Sequence, residues 1–374
     1  MRFTDIPGLD GIKEKLLHAI QSGKIAHAQL LAGPEGALTL PLALAYATYL
    51  HCENRGSKDA CGQCRACSKS LKYIHPDTHF VFPWNAKADK DADRAKAESL
   101  KTWRTFLLEH PFGKIDDWTA FYGAENKTPL ISKDESREII KTLALKSFES
   151  PYKVMLIWLP EYMHSTAANG ILKILEEPPG QTFFLLVSNA TERLMSTLVS
   201  RTQKIQVPLL ADTALDSYLE QHTTLTPEER APILQLADGD VNLAMRLSEN
   251  EENVDPNHFA TWMRACFKRD YALLVAMADQ FHQSEKMNQH QVLLYSLSLL
   301  RDALLSRAGS TLIIRARGNN QKFVQDFGKV VDAIKMEKTA HLISEAAYHL
   351  DRNGSAKMIF LSLSLKLADL LNPA

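Results

Sequence analysis

What this chain of 374 residues lacks narrows its class before any motif is read. It has no excess of charge of either sign: 43 Lys and Arg stand against 44 Asp and Glu, a net charge of -1. A protein that grips nucleic acid through bulk electrostatics carries a strongly basic balance, so only a local patch could do so here. It has no apolar run approaching the roughly 18 residues of a membrane span. Its opening residues, "MRFTDIPGLDG", do not follow the basic-then-apolar layout of a secretory leader. Together these absences predict a cytoplasmic protein with no membrane partner. Cysteine is scarce as well, at five residues. In a cytosolic chain such thiols serve as metal ligands or buried groups more readily than as disulfides.

A sharper absence lies in "LLAGPEGALTLPLALAYA", residues 30–47. An apolar strand runs into Gly-Pro-x-Gly and a helix follows, which is the outline of a phosphate-binding loop. A working loop reads G-x-x-x-x-G-K-[ST], with the lysine on the phosphates and the hydroxyl on magnesium. Aligned from Gly33, the second glycine is Leu38, the lysine is Thr39 and the hydroxyl residue is Leu40. The frame of a nucleotide site is present without the atoms that hold the nucleotide. A plain strand–turn–helix is the simpler reading, with Leu38 and Leu40 filling the space.

Four short apolar runs read as buried strands: "AHAQLLAG", "THFVFPW", "YKVMLIWLP" and "TFFLLVSN", with "QKIQVP" as a short fifth. Helical patterns separate them, over 10–23, from about Leu40 to Leu50, in "SKDESREIIKTLALKS", in "HSTAANGILKILEEPP" and in "ERLMSTLVSR". Ser132 and Glu135 have the spacing of a capping box, and Pro178 and Pro179 stop a helix. Strands alternating with helices predict a parallel α/β sheet. After Pro208 strand patterns cease and the rest reads as helical. Residues 84–128 are charge-rich and irregular, and are read as an insertion. Its Trp118, Phe121 and Tyr122 form an aromatic cluster that either docks the insertion on the core, the commoner outcome, or binds a partner.

Cys52, Cys61, Cys64 and Cys67 form a C-x8-C-x2-C-x2-C array. Four thiolates complete a closed tetrahedral zinc site, and a closed site is structural because no position is left for water. An iron–sulfur cluster is the rival. The ferredoxin run has its fourth cysteine downstream with a proline, whereas Ser68 follows Cys67 here. His75 and His79 read as surface residues, and Cys266 as core.

In this order, "IAHAQLLAGPEG", the cysteine loop, "AANGILKILEEPP" and "TFFLLVSNATERLMSTLVSRTQKIQV" resemble the AAA+ clamp-loader subunits of bacterial DNA polymerase III over residues 1 to about 250. The resemblance implies a RecA-like AAA+ domain over 1–207, a helical lid over 208–250 and an all-α collar over 251–374. It implies a place in a hetero-pentamer beside a gamma/tau-type ATPase subunit and a delta subunit, acting on a sliding clamp and primed DNA. The family's second acidic motif falls on Trp158 and Leu159, with Glu161 displaced. Its sensor survives as Asn189, and its lid arginine is Asn242. These losses imply that this chain binds no ATP. The family's trans-acting Ser-Arg falls on Ser200 and Arg201, with Thr202 in place of the usual cysteine. An arginine presents a permanently charged planar fork to phosphate oxygens. Taken alone, Arg201 is an ordinary surface or ion-paired arginine. An active ATPase subunit of the same complex, and a zinc-stabilised interaction module outside replication, are the alternative readings.

Overall fold

The computed structural model describes residues 1–85, 92–124, 129–249, 257–284, 286–310, 314–316, 318–352 and 354–372. Residues 86–91 and 125–128 of the insertion, and the start of the expected collar at 251–256, lie outside them. All five predicted strands form: β1 (Ala28–Ala32), β2 (Thr78–Val81), β3 (Lys153–Trp158), β4 (Thr182–Ser188) and β5 (Gln203–Gln206). They make one sheet in the order β2-β3-β4-β1-β5, and every pairing is parallel. Parallel neighbours need crossover connections, which is why helices alternate with the strands. Leu30 of β1 lies opposite Leu186 of β4, and Leu156 of β3 opposite Leu185. β1 and β3 are buried at every position, as near-continuous apolar runs in a sheet covered on both faces require.

The helices of this part are α1 (Asp10–Gln21), α2 (Thr39–His51), α3 (Arg65–Ser70), α4 (Ala92–Glu109), α5 (Ile115–Phe121), α6 (Lys133–Ala144), α7 (Ser165–Glu176) and α8 (Ser196–Val199). Further along come α9 (Asp212–His222), α10 (Pro227–Ala237), α11 (Val241–Glu249), α12 (His258–Lys268), α13 (Tyr271–Gln283), α14 (Lys286–Arg307), α15 (Gly318–Val330), α16 (Ala333–Asp351) and α17 (Ala356–Leu371). The α/β expectation and the helical C-terminal region are both present.

The chain divides into two compact units, Met1–Leu215 with Gly239–Asn242, and Asp216–Asp238 with Leu243–Ala374. The first holds the sheet, and its core runs through Leu30, Met155, Ile157, Ile171, Phe184 and Leu186. The second is all helix. In it α14 packs on α15 and α16, and α17 on α12, α13 and α16. Cys266 is fully buried there, as expected of a core thiol. Trp262 donates to Ser364 Oγ at 2.9 Å, which supplies the buried indole N–H with its acceptor.

Three local expectations are corrected. Ser132 does stand at the N-cap of α6, but its side chain caps nothing, and the Glu135 amide bonds to the Ser132 carbonyl instead. The helix read in "ERLMSTLVSR" breaks into a 3-10 turn at Thr191–Arg193 and the short α8. Met195 between them is extended, which lays Leu194 and Met195 against the sheet core. His75 is no surface residue: it is buried, stacked on His51 with ring centroids 4.0 Å apart. Burial pulls the His51 imidazole down to about 3, and lowers His75 too, so both rings are neutral where they stack.

Candidate functional site

The loop after β1 has the expected frame. Gly33 donates to Ser188 O at the tip of β4, and Gly36 turns with φ +86° into α2. A Cβ at Gly36 would lie 2.7 Å from the Asp240 carboxylate, so the 239–242 turn rests directly on the loop. Leu38 and Leu40 are buried. The Thr39 hydroxyl, at the place of a phosphate-gripping lysine, lies 3.5 Å from the Asn189 side-chain oxygen.

Each remaining position of the expected nucleotide machinery has a partner within this unit. Trp158, at the end of β3, packs against Trp103 of α4 with centroids 4.9 Å apart. Trp103 in turn stacks on Phe82 and meets Trp118 edge-on, and both tryptophans are fully buried. The indole of Trp118 donates to Pro83 O at 2.7 Å. The predicted aromatic patch thus docks the insertion, and it does so over the strand tip where the acids of a second nucleotide motif would stand. Leu159 adopts the left-handed region at φ 55°, sparsely populated for a branched residue. Glu161 accepts from the Asn189 and Ala190 amides at 2.8 and 3.2 Å, tying the β3 exit to the β4 exit.

The insertion also reaches the loop electrostatically. Lys114 Nζ lies 3.0 Å from Asp240 and 3.6 Å from Glu35. Asn242, at the place of the lid arginine, donates to Asp117 of α5 at 2.6 Å. Burial alone would lower the lysine's pKa, but Asp240, with Glu35 and Asp117, outweighs it and raises it. No local sequence signal marks Lys114 or Asp240 as partners.

The four cysteines converge. Cys52 caps the C-terminus of α2 and Cys64 the N-terminus of α3. Their sulfurs and those of Cys61 and Cys67 all lie within 4.8 Å of one another, with Cys61 and Cys67 3.9 Å apart. A tetrahedral ion with bonds of about 2.3 Å needs sulfurs about 3.8 Å apart, so the donor set fits. Amides point at the sulfurs: Gln63 and Cys64 at Cys61, and Cys67 at Cys64. The two amides hold the Cys61 thiol down at about 6. Burial pushes Cys52 and Cys67 up. A divalent cation overrides the latter, since coordination deprotonates a thiol outright. Gly62 makes the turn with φ +72°. Asp59, within the loop, accepts from the Phe3 and Thr4 amides at 3.2 and 2.8 Å and so ties the chain start to the cluster. The cluster could hold a metal ion.

Arg201 and Ser200 follow α8. Ser200 is exposed. Arg201 is ion-paired with Glu176 at 2.5 Å, and its guanidinium also donates to Thr197 O at 2.8 Å. Among the described residues, no helix is long and apolar enough to cross a membrane.

A five-stranded parallel sheet with a glycine turn between its first strand and α2 defines the class, an α/β domain of the RecA-like AAA+ kind. The sequence pattern of the family described as DNA polymerase III, delta subunit, matches residues 9–211, more than half of the chain, and the chain belongs to that family. It is 29% identical over 223 residues to the DNA polymerase III subunit delta' of Pseudomonas aeruginosa, covering 59% of this chain and 56% of that protein. It is 26% identical to the Bacillus subtilis delta' over 64% of this chain and 59% of that one. The Escherichia coli delta' aligns at 24% identity over 80% of this chain and 76% of its own length. The likeness expected from the motifs is therefore to delta-prime subunits.

Proposed function

We propose that this chain is a non-hydrolysing, delta-prime-type subunit of a DNA polymerase III clamp loader. In this reading it binds no ATP. One observation carries it: the positions where a nucleotide would be gripped are taken up by the chain itself, with Lys114 between Glu35 and Asp240 as the central contact. Phosphoryl transfer depends on charges placed around phosphate and metal, and here those charges pair with one another. The domains would be an AAA+ domain over 1–207, a lid over 208–250 and a collar over 251–374. Family membership supports gamma/tau-type and delta neighbours in a hetero-pentamer, a cytoplasmic setting, and action on a sliding clamp and primed DNA through the complex. It also speaks against an interaction module outside replication.

Arg201, with Ser200, would be supplied in trans to the ATP of an adjacent subunit. Its pairing with Glu176 is with an exposed carboxylate, an interaction worth about 0–1 kcal/mol, so little opposes its transfer to a phosphate. Cys52, Cys61, Cys64 and Cys67 would hold a structural Zn2+. The second reading, an active ATPase subunit, draws on the likeness to a gamma subunit of Buchnera aphidicola, 24% identical over 261 residues.

ATP turnover of the reconstituted complex, with clamp and primed DNA, separates them. Arg201→Ala in an intact complex should lower turnover by tenfold or more, against roughly 10³ to 10⁵ for trans arginines elsewhere. Glu176→Gln should leave turnover near wild type. Unchanged turnover in Arg201→Ala would remove the trans role, and saturable ATP binding by the isolated chain would favour the ATPase reading.

A further inference from the structure

In the second unit α12 and α15 enclose a cleft of about 650 Å³, within the range of clefts that seat specific ligands or side-chain anchors. Its floor is apolar, with Met263 and Phe267 from α12 and Phe323 and Phe327 from α15, and Val330 lines its open side. Val330 of this lining is 73% exposed. The rim is basic. Arg264, Lys268 and Lys322 line it and are exposed. Arg264 lies over the Phe323 ring at 5.9 Å. Among the described residues no carboxylate lies within 4.0 Å of any of these three cations. Among the described residues the one acid of the rim, Asp326, is within 3.6 Å of Lys329 on its own helix.

We infer that this cleft is a docking groove for an acidic amphipathic helix of a partner protein. Phe323, Phe327 and Val330 lie on one face of α15, and with Met263 and Phe267 of α12 they make an apolar trough of the kind that takes the apolar face of an amphipathic helix. The unpaired cations on the rim select acidic flanks by charge complementarity. Single-stranded nucleic acid fits less well. Phe323 is engaged edge-on with Phe259, their rings at 90°, and Phe327 is buried, so the rings do not form a row of open faces for stacking.

A displayed library of helix-forming peptides, randomised at charged and apolar positions and selected on the wild-type full chain alone, tests this. The selected peptides should carry Asp or Glu flanking apolar residues at helical spacing. Their affinity should fall about tenfold or more in the Lys268→Glu/Lys322→Glu variant and, independently, in Val330→Asp. All three positions are exposed, and far-ultraviolet circular dichroism checks that helix content is kept. Failure to enrich, enrichment without acidic bias, or affinity unchanged in both variants would overturn the assignment. So would a concentration-dependent dimer of the full chain that the variants abolish, or labelled oligothymidine that competes with the peptides for the groove.

Discussion

Lys114 and Asp240 stand 126 positions apart in the chain, and their side chains meet at 3.0 Å over the loop that follows β1. The ammonium also faces Glu35. The insertion, the glycine loop and the 239–242 turn are thereby held by one cation. Replacing Lys114 by Met should cost about 1–3 kcal/mol, because Asp240 is largely buried and would lose the ammonium that lies 3.0 Å from it. Urea unfolding followed by tryptophan fluorescence measures this, since Trp118 on neighbouring α5 reports the insertion. A loss below about 0.5 kcal/mol would mean that solvent already screens the contact. The pH dependence has a definite sign. A lysine whose pKa is raised on folding stabilises fully below its unfolded value of about 10.4. That contribution fades as pH climbs through the higher folded value, and it should be missing from the alkaline limb of Lys114→Met.

Asp77 gives the opposite limb. It is buried, and its carboxylate accepts from the amides of Phe148, Glu149 and Ser150 at 2.6, 2.8 and 2.8 Å. Burial pushes its pKa up, but the three amides outweigh that and leave it lowered. The stabilisation is therefore present above the unfolded value of about 3.9 and is lost as pH falls through the folded one. Asp77→Asn keeps the shape but not the charge, and should cost about 2–4 kcal/mol at neutral pH. The gap between variant and wild type should close in acid. A gap that persists below both pKa values would assign the effect to packing.

The strands were legible because sheet burial on both faces demands continuous apolar runs, and "KVMLIW" and "TFFLLVS" supply them. The cysteine array was legible because ligand spacing is local. Asp77 was not, since its partners lie over 70 positions away and an acid before a strand looks like a loop residue. The His51–His75 stack was missed for the same reason: a histidine's burial depends on what folds over it. The capping-box signal at Ser132 and Glu135 was present in sequence and unused in structure, because the Ser132 carbonyl took the amide. The break before α8 follows from a tertiary preference, the seating of Leu194 and Met195 on the core, which outweighs local helix pattern.

The cysteine cluster should bind about one zinc per chain, which metal analysis of the purified protein measures. Removal by a strong chelator, or Cys64→Ser, should destabilise the first unit by several kcal/mol, because site and fold form together. The effect should reach the chain start. Asp59 holds the Phe3 and Thr4 amides, so their hydrogen exchange should quicken on chelation while that of β3 amides changes less. Protection at Phe3 and Thr4 that survives complete metal removal would show that the loop holds its shape without an ion.

Restoring the missing lysine should not restore a nucleotide site. In Thr39→Lys the new ammonium would emerge at the start of α2, three residues after Gly36, which Asp240, the partner of Lys114, already covers. Two like charges would then compete for Asp240 and Glu35. No acid stands at Trp158 or Leu159 to hold a metal, and Trp158 is walled in by Trp103. Isothermal titration of the variant with Mg-ATP should show no saturable heat. Adding Lys114→Met to Thr39→Lys removes the competing cation, and is the combination most favourable to binding. If that double variant too stays silent, the aromatic cluster over β3 is sufficient to close the site. Saturable binding in Thr39→Lys alone would mean that the loop retains its cradle, and would overturn the proposal that the chain's own contacts close the site.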